Sequence, residues 1–260
     1  MTTETQDTAT ENTAKEDTVL SIAGLRKYFP VRNAWKRRIG WLKAVDDISL
    51  EVRRGEVLGI VGESGCGKST LGKTLMGIHP PSGGQIVFEG NDITNMKPGA
   101  SRGLRSSLQY SYQDPGASLD PRWKIGRSLH EPLEIHTQLS REERDKRVRS
   151  ILKSVGLPEG HLDHYPHEIS GGQQRRVGLA RILTLHPSVI ILDEPTSGLD
   201  ASVQATILNL FSDLRQEFNL TYLFISHDLS VVRMICDRIA VMYLGKIVEI
   251  GDTETVFSNP

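Results

Sequence analysis

Residues 56–62, EVLGIVG, form a nearly unbroken apolar run ending in glycine, and the loop GESGCGKST (Gly62–Thr70) follows before helical sequence begins. A run this apolar has no polar face for water, so it reads as a strand buried on both sides, as in parallel sheets. SVIILDEP and LTYLFISHD repeat the pattern, each turning polar at its carboxyl end. Helical segments lie between them. SREERDKRVRSILKSVG has Ser140 and Glu143 at capping-box spacing, an apolar stripe of Val148, Ile151, Leu152 and Val155, and Gly156 placed to end it. SVQATILNLFSDLRQE is helical in the same way. Strands alternating with helices predict an α/β fold with a mostly parallel sheet covered on both faces. Ligands of such sheets bind beyond the carboxyl ends of the strands. Three polar clusters fall there: Gly62–Thr70, Asp193–Glu194 and Ser226–His227–Asp228.

The chain has 260 residues, enough for one large domain or two small ones with a substantial core. Its net charge of −1 argues against nucleic acid as a partner. The apolar runs, such as VIIL at 189–192, fall far short of the ~20 residues that cross a bilayer. The Thr- and acid-rich beginning does not read as a secretory signal, and Cys66 and Cys236 make no disulfide framework. The expectation is an intracellular protein that does not itself enter a membrane. Residues 1–18 lack large hydrophobic side chains and are expected to be disordered, with order beginning at Val19–Leu20. VRNAWKRRIGWLKAV (31–45) mixes Arg32, Lys36, Arg37, Arg38 and Lys43 with Trp35 and Trp41. The residues favour an elaborated hairpin between two strands, with a membrane-surface or partner contact as the alternative.

GESGCGKS matches G-x-x-x-x-G-K-[ST] between a strand and a helix, the setting in which that spacing cradles a nucleoside triphosphate. Glycines let backbone N–H groups of Gly62, Glu63, Ser64, Gly65, Cys66 and Gly67 curl around the phosphates. Lys68 reaches the β- and γ-phosphates, Ser69 offers a hydroxyl to Mg²⁺, and Thr70 completes the nucleotide-binding loop. Cys66 reads first as a small residue that the loop tolerates; its place beside Lys68 and a helix N-terminus adds the expectation that it reacts with thiol reagents, with ATP protecting it. Asp193 is placed to hold the Mg²⁺ shell and Glu194 to take a proton from attacking water. His227, ending the next strand, is placed to contact the γ-phosphate. A second cradle, Ser170, Gly171, Gly172 and Gln173, opens the helix QQRRVGLARIL without a lysine or metal ligands of its own. It binds weakly alone, and contributes if it closes over a phosphate held by another subunit. A head-to-tail dimer follows, with ATP between the Gly62–Thr70 loop of one chain and the Ser170–Gln173 turn of the other. His161, His164 and His167 recur every three residues, but Pro166 interrupts any helix that would align them for a metal.

GESGCGKST, SGGQ, ILDEPTSGLD and SHD, in this order and spacing, resemble the ATP-binding cassette (ABC) ATPases from about residue 20 onward. The resemblance implies a P-loop NTPase core, an N-terminal antiparallel β subdomain, and a helical subdomain, roughly 114–168, inserted before SGGQ in a 19–260 ATPase domain. It implies that Gln113, in YSYQDP, touches Mg²⁺ and water and senses the membrane partner. It implies that Ser197–Asp200 communicates across the dimer, Asp200 included, and that Phe29 stacks on adenine, with Tyr28 a nearby contender. Longer stretches, VGESGCGKSTLGKTLMGIHPPSGGQIVFEG, YQDPGASLDPR and YPHEISGGQQRRVGLARIL, are similar to the bacterial oligopeptide/dipeptide importer branch, which also includes nickel and glutathione importers. That similarity implies a second, homologous ATPase subunit, two transmembrane permeases, an external solute-binding protein, and a peripheral place on the cytoplasmic face of the inner membrane.

The chain departs from the branch in three ways. Ile169 stands where leucine is commonest, Gln174 replaces a frequent arginine, and the sequence stops at VFSNP where the branch continues with HPYT and an extension. The expectation is a shortened chain or a lineage without that tail, with the ATPase site unaffected. Lys68, Glu194, His227 and SGGQ are all intact, so neither half-site contributed by this chain is degenerate. Import of nickel or another peptide-like solute is the nearest alternative. A soluble ABC ATPase acting on ribosome or DNA usually has two cassettes or long insertions, which this chain lacks, and the wording of YQDPGASLDPR argues against an exporter.

Overall fold

The computed structural model describes residues 17–96, 102–112 and 118–259. The expected disordered tail lies outside them up to residue 16, as does Gln113. The chain forms two compact units, Met1–Met96 with Cys236–Pro260, and Lys97–Ile235.

In the first unit, β1 (Thr18–Arg32) pairs antiparallel with β2 (Arg38–Arg53) and β4 (Gly83–Phe88), and β4 with the short β5 (Asn91–Asp92). β1 opens one residue before the expected start of order. The inner halves of these strands are amphipathic: Leu20, Ile22 and Leu25 on β1 and Val45, Ile48 and Leu50 on β2 are buried. Two-faced strands with one apolar face suit an antiparallel sheet.

β3 (Val57–Val61), buried along its whole length, pairs in parallel with β9 (Arg238–Tyr243), which pairs antiparallel with β10 (Lys246–Asp252). Two polar contacts tie β3 to the start of β9. Asp237 Oδ2 accepts the Val57 N–H at 2.8 Å, and Arg238 Nη1 donates to both oxygens of the buried Glu56 at 3.2 Å. This pairing sets Val61 opposite Val241, so the glycine loop leaves β3 over Met242. The loop runs into α1 (Lys68–Leu75), and α8 (Thr253–Ser258) closes the unit.

In the second unit, β6 (Leu108–Ser111), β7 (Val189–Asp193) and β8 (Thr221–Ser226) are parallel, with β7 in the middle. Every residue of β7 and β8 is buried, as the apolar runs at their centres require, and the polar ends Asp193, Thr221 and Ser226 are buried with them. The helices are α2 (Arg102–Ser107), α3 (Ile125–His136), α4 (Arg141–Ser154), α5 (Gly171–Leu183), α6 (Ala201–Phe218) and α7 (Leu229–Ile235). The expected capping box of α4 forms, with Ser140 Oγ accepting the Glu143 N–H and Glu143 accepting the Ser140 N–H. Gly156, at φ +70°, follows its last turn. α5 is fixed to α3 by Arg181 and Glu131 at 2.6 Å. Mostly parallel strands, a separate antiparallel sheet and flanking helices realise the expected α/β class.

Candidate active site

The glycine loop is held by close backbone packing. A Cβ on Gly62 would lie 2.1 Å from the Met242 carbonyl oxygen, and one on Gly67 2.0 Å from that of Ala44. Both have left-handed φ, +152° and +114°, which side chains avoid. Only glycine fits at either position. Lys68 is 5% exposed, and its Nζ donates to the carbonyls of Gly62 at 2.7 Å and Glu63 at 2.9 Å. The ammonium thus lies under its own loop, two donors engaged, with one more proton to offer. Cys66 corrects the expected reactivity. It is 5% exposed, with Sγ 3.0 Å from where a Gly62 side chain would begin, so a reagent reaches it only if the loop opens.

Upstream, Tyr28 donates its hydroxyl to Asp46, which Lys43 also approaches at 3.3 Å. The Phe29 ring meets His79 edge-on at 5.4 Å, with the Lys27 ammonium 4.9 Å from its centroid. Tyr28 is therefore committed to Asp46, while the Phe29 ring meets His79 and Lys27.

In the second unit, Asp193 ends β7 at 7% exposure, and the Tyr110 hydroxyl on neighbouring β6 donates to its Oδ2 at 2.5 Å. Burial first, then this hydrogen bond, pushes the Tyr110 phenol far above its ordinary range, so it stays a donor. Glu194 follows in the left-handed region, φ +53°, a strained setting for a side-chain-bearing residue. Its N–H donates to the Ile225 carbonyl at 2.9 Å, which fixes it against the end of β8. From there its Oε2 lies 2.6 Å from Nδ1 of His227. The structure thus brings Glu194 and His227 together, with 18% of the glutamate and 56% of the histidine side chain exposed. One tautomer donates Nδ1–H to the carboxylate and turns Nε2 outward. Asp228, next in line, starts α7 by accepting the Ser230 N–H at 2.9 Å.

Ser170 caps α5. Its Oγ accepts the Gln173 N–H at 3.3 Å and its own N–H donates to Gln173 Oε1 at 2.8 Å, a complete capping box. Each of the two side chains accepts the other residue's backbone N–H, so the N–H groups of Gly171 and Gly172 carry the positive end of the helix. Both glycines are exposed, and a Cβ on either meets no atom within 4 Å. Nothing among the described residues requires glycine there. Gln174, replacing the frequent arginine, donates to the Pro166 carbonyl at 2.8 Å and so holds the preceding turn to the helix. Gly198, at φ +72°, turns the chain toward Asp200, the residue that precedes α6. The three histidines do not share a focus: His161 packs edge-on against His164, while His167 stacks on Tyr165.

Tyr110 is the site residue that the sequence reading did not single out. Its signal is a tyrosine at the strand position beside β7, in LQYSYQDP, where Tyr110 pairs with Ile191.

A model of the ABC transporter family matches residues 45–197. The chain is 49% identical over 249 residues to an oligopeptide transport ATP-binding protein of Bacillus subtilis, covering 95% of this chain and 76% of that one. It is 46% identical over 252 residues to a dipeptide transport ATP-binding protein of Escherichia coli, covering 97% and 75%. Among solved structures, cbiO1 of Clostridium perfringens, part of the ABC transporter complex cbiONQ, superposes with a TM-score of 0.80. It is 32% identical, over 94% of this chain and 92% of that one. A dimeric ATP-binding cassette bound to ADP and Pi superposes with a TM-score of 0.78 at 26% identity, over 90% and 98%. The glycine loop under which Lys68 is held, the strained Glu194 beside His227 and the matches across nearly the whole chain have one reading: the chain belongs to the ABC transporter family and is one of its ATP-hydrolysing cassettes.

Proposed function

We propose that this chain energises a bacterial importer of oligopeptides or dipeptides, working from the cytoplasmic face of the inner membrane. The relatives named for oligopeptide and dipeptide transport support the solute class, at 49% and 46% identity. Its partners in this reading are a homologous ATPase subunit, two transmembrane permeases and an external solute-binding protein. None of the helices among the described residues is long and apolar enough to cross a membrane.

The contact between Glu194 and His227 carries the chemistry. Glu194 takes the proton of the attacking water, and His227, turned by its bond to Glu194, meets the γ-phosphate. Lys68 and the N–H groups of Gly62–Thr70 bind the phosphates, with Phe29 on the adenine. Ser170, Gly171, Gly172 and Gln173 close over the nucleotide of the partner subunit, with Asp200 beside them. Ser69, Asp193 and Gln113 would hold Mg²⁺ through oxygen donors, the hard ligands that ion prefers. The ion would supply neutralisation of the phosphate charge. ATP closes the dimer because it binds the closed state more tightly, and hydrolysis resets it.

Glu194→Gln keeps the shape and removes the base. The variant is expected to bind ATP, to accumulate as a closed dimer on gel filtration, and to hydrolyse about 10²–10⁴-fold more slowly. Near-parental turnover removes Glu194 from the role of base. For the transport reading, affinity capture from gently solubilised membranes is expected to recover two permeases, a second ATPase and a binding protein whose ligand can then be screened. Ribosomal or DNA-repair partners without a permease overturn that reading.

A further inference from the structure

The distal part of the β1–β2 hairpin has strand pairing but no core behind it. Pro30 pairs with Trp41 and Val31 with Gly40, yet no residue from Pro30 to Lys43 is buried. Trp35 is 84% exposed, Ile39 66%, Leu42 58% and Trp41 53%. Strand alternation sends Trp41 and Leu42 to opposite faces of the ribbon, so both faces show apolar groups to water, and Ile39 adds another at the register shift between Gly40 and Arg38. The tip nevertheless has a defined shape. Asn33 Oδ1 accepts the N–H groups of Trp35 at 3.1 Å and Arg37 at 3.0 Å, which holds Trp35 out at the apex.

The same stretch is strongly basic. Residues 29–43 contain Arg32, Lys36, Arg37, Arg38 and Lys43 and no Asp or Glu, in a chain whose net charge is −1. Lys43 is paired with Asp46 at 3.3 Å, and the Arg38 guanidinium lies 4.9 Å from the Trp41 ring centroid. Apolar side chains on both faces, tryptophans at the apex and flank, and cations distributed among them match a surface that is oily below and anionic around. A one-sided protein groove would leave one face of the ribbon bare, and a nucleic acid has no use for Ile39 and Leu42.

We propose that this hairpin tip docks on the anionic surface of a membrane, with Trp35, Ile39, Trp41 and Leu42 at the headgroup–acyl boundary and the cations among lipid phosphates. The inference goes beyond the transport reading. It concerns lipid rather than permease, and it is tested without permease.

The test uses the whole chain with vesicles of one part phosphatidylglycerol to two parts phosphatidylcholine, and with vesicles of phosphatidylcholine alone. The expected result is co-sedimentation with the anionic vesicles only, weakening as salt is added, with a blue shift of tryptophan emission. At about fivefold per cation, Arg37→Ser with Arg38→Ser is expected to bind roughly 25-fold more weakly. Trp35→Ser with Trp41→Ser is expected to lose the blue shift, leaving Trp123 as an unresponsive reference. All these positions are exposed, so ATP hydrolysis in solution is expected to stay at the parental rate in both variants. Equal binding to neutral vesicles overturns the proposal. So does undiminished binding by either variant, or binding to RNA in place of vesicles. Absence of lipid binding leaves the transport reading where it stands, because that reading is tested by permease capture.

Discussion

Asp193 is a carboxylate at 7% exposure, and a buried charge is tolerated only where donors reach it. The Tyr110 hydroxyl is such a donor, held protonated by its own burial. Tyr110→Phe keeps the ring and removes the bond. It is expected to cost about 1–3 kcal/mol of stability. It is also expected to raise the Mg²⁺ concentration needed for half-maximal hydrolysis, because Asp193 is no longer aimed. Thermal melts read the first effect and a Mg²⁺ titration of hydrolysis the second. A lower melting point with an unchanged Mg²⁺ requirement makes Tyr110 a packing residue only. Asp193 and Glu194 are legible in sequence because an apolar strand ending in two acids is conspicuous. Tyr110 is not, since a tyrosine in a short apolar strand reads as core and its partner lies 83 residues away. The burial of Cys66 is hidden for a related reason. It depends on how the loop folds over Met242, which local composition does not encode.

At the level of elements, two helices begin at glycines for opposite reasons. At α1, Gly67 is demanded by this chain's own backbone, with the Ala44 oxygen 2.0 Å from any added Cβ. At α5, Gly171 has open space around it and the capping box already in place. Gly67→Ala is therefore expected to lower the melting temperature and abolish ATP binding together. Gly171→Asp is expected to behave differently. An acid in the first turn suits the helix dipole, so the fold is expected to be as stable or slightly more so. The same charge repels a triphosphate, so hydrolysis and ATP-dependent dimerisation are expected to fail. Melting curves beside ATP binding and light scattering separate the two cases, and a destabilised Gly171→Asp would mean that this chain does need the glycine. The apolar stripe makes α4 and α6 legible and unbroken apolar runs make β3, β7 and β8 legible, whereas α3, β6 and β9 carry no such signal. The Ser170–Gln173 box is legible too, as a serine three residues before a glutamine.

For the whole molecule, the question is why one chain carries two anion-binding turns, only one of them with a lysine. If the Gly62–Thr70 loop and the Ser170–Gln173 turn serve different nucleotides, each dimer has two composite sites built from opposite chains, and isologous symmetry makes the sites equivalent. Defects in the two turns should then complement. Lys68→Ala removes the ammonium now held by the Gly62 and Glu63 carbonyls, and Gly171→Asp spoils the other turn. Each variant alone is expected to be inactive, because every site in its dimer contains one damaged part. In a mixed dimer both defects fall in the same site, and the other site is wholly intact. Each mixed dimer has one of two sites working, so it should run at roughly half the rate of a parental dimer. The measurement is ATP hydrolysis by the two inactive preparations before and after mixing, at concentrations where the parent dimerises. Recovered hydrolysis requires that the turns come from different chains. A mixture that forms dimers yet stays inactive would place both turns on the same nucleotide, and the head-to-tail arrangement would have to be abandoned.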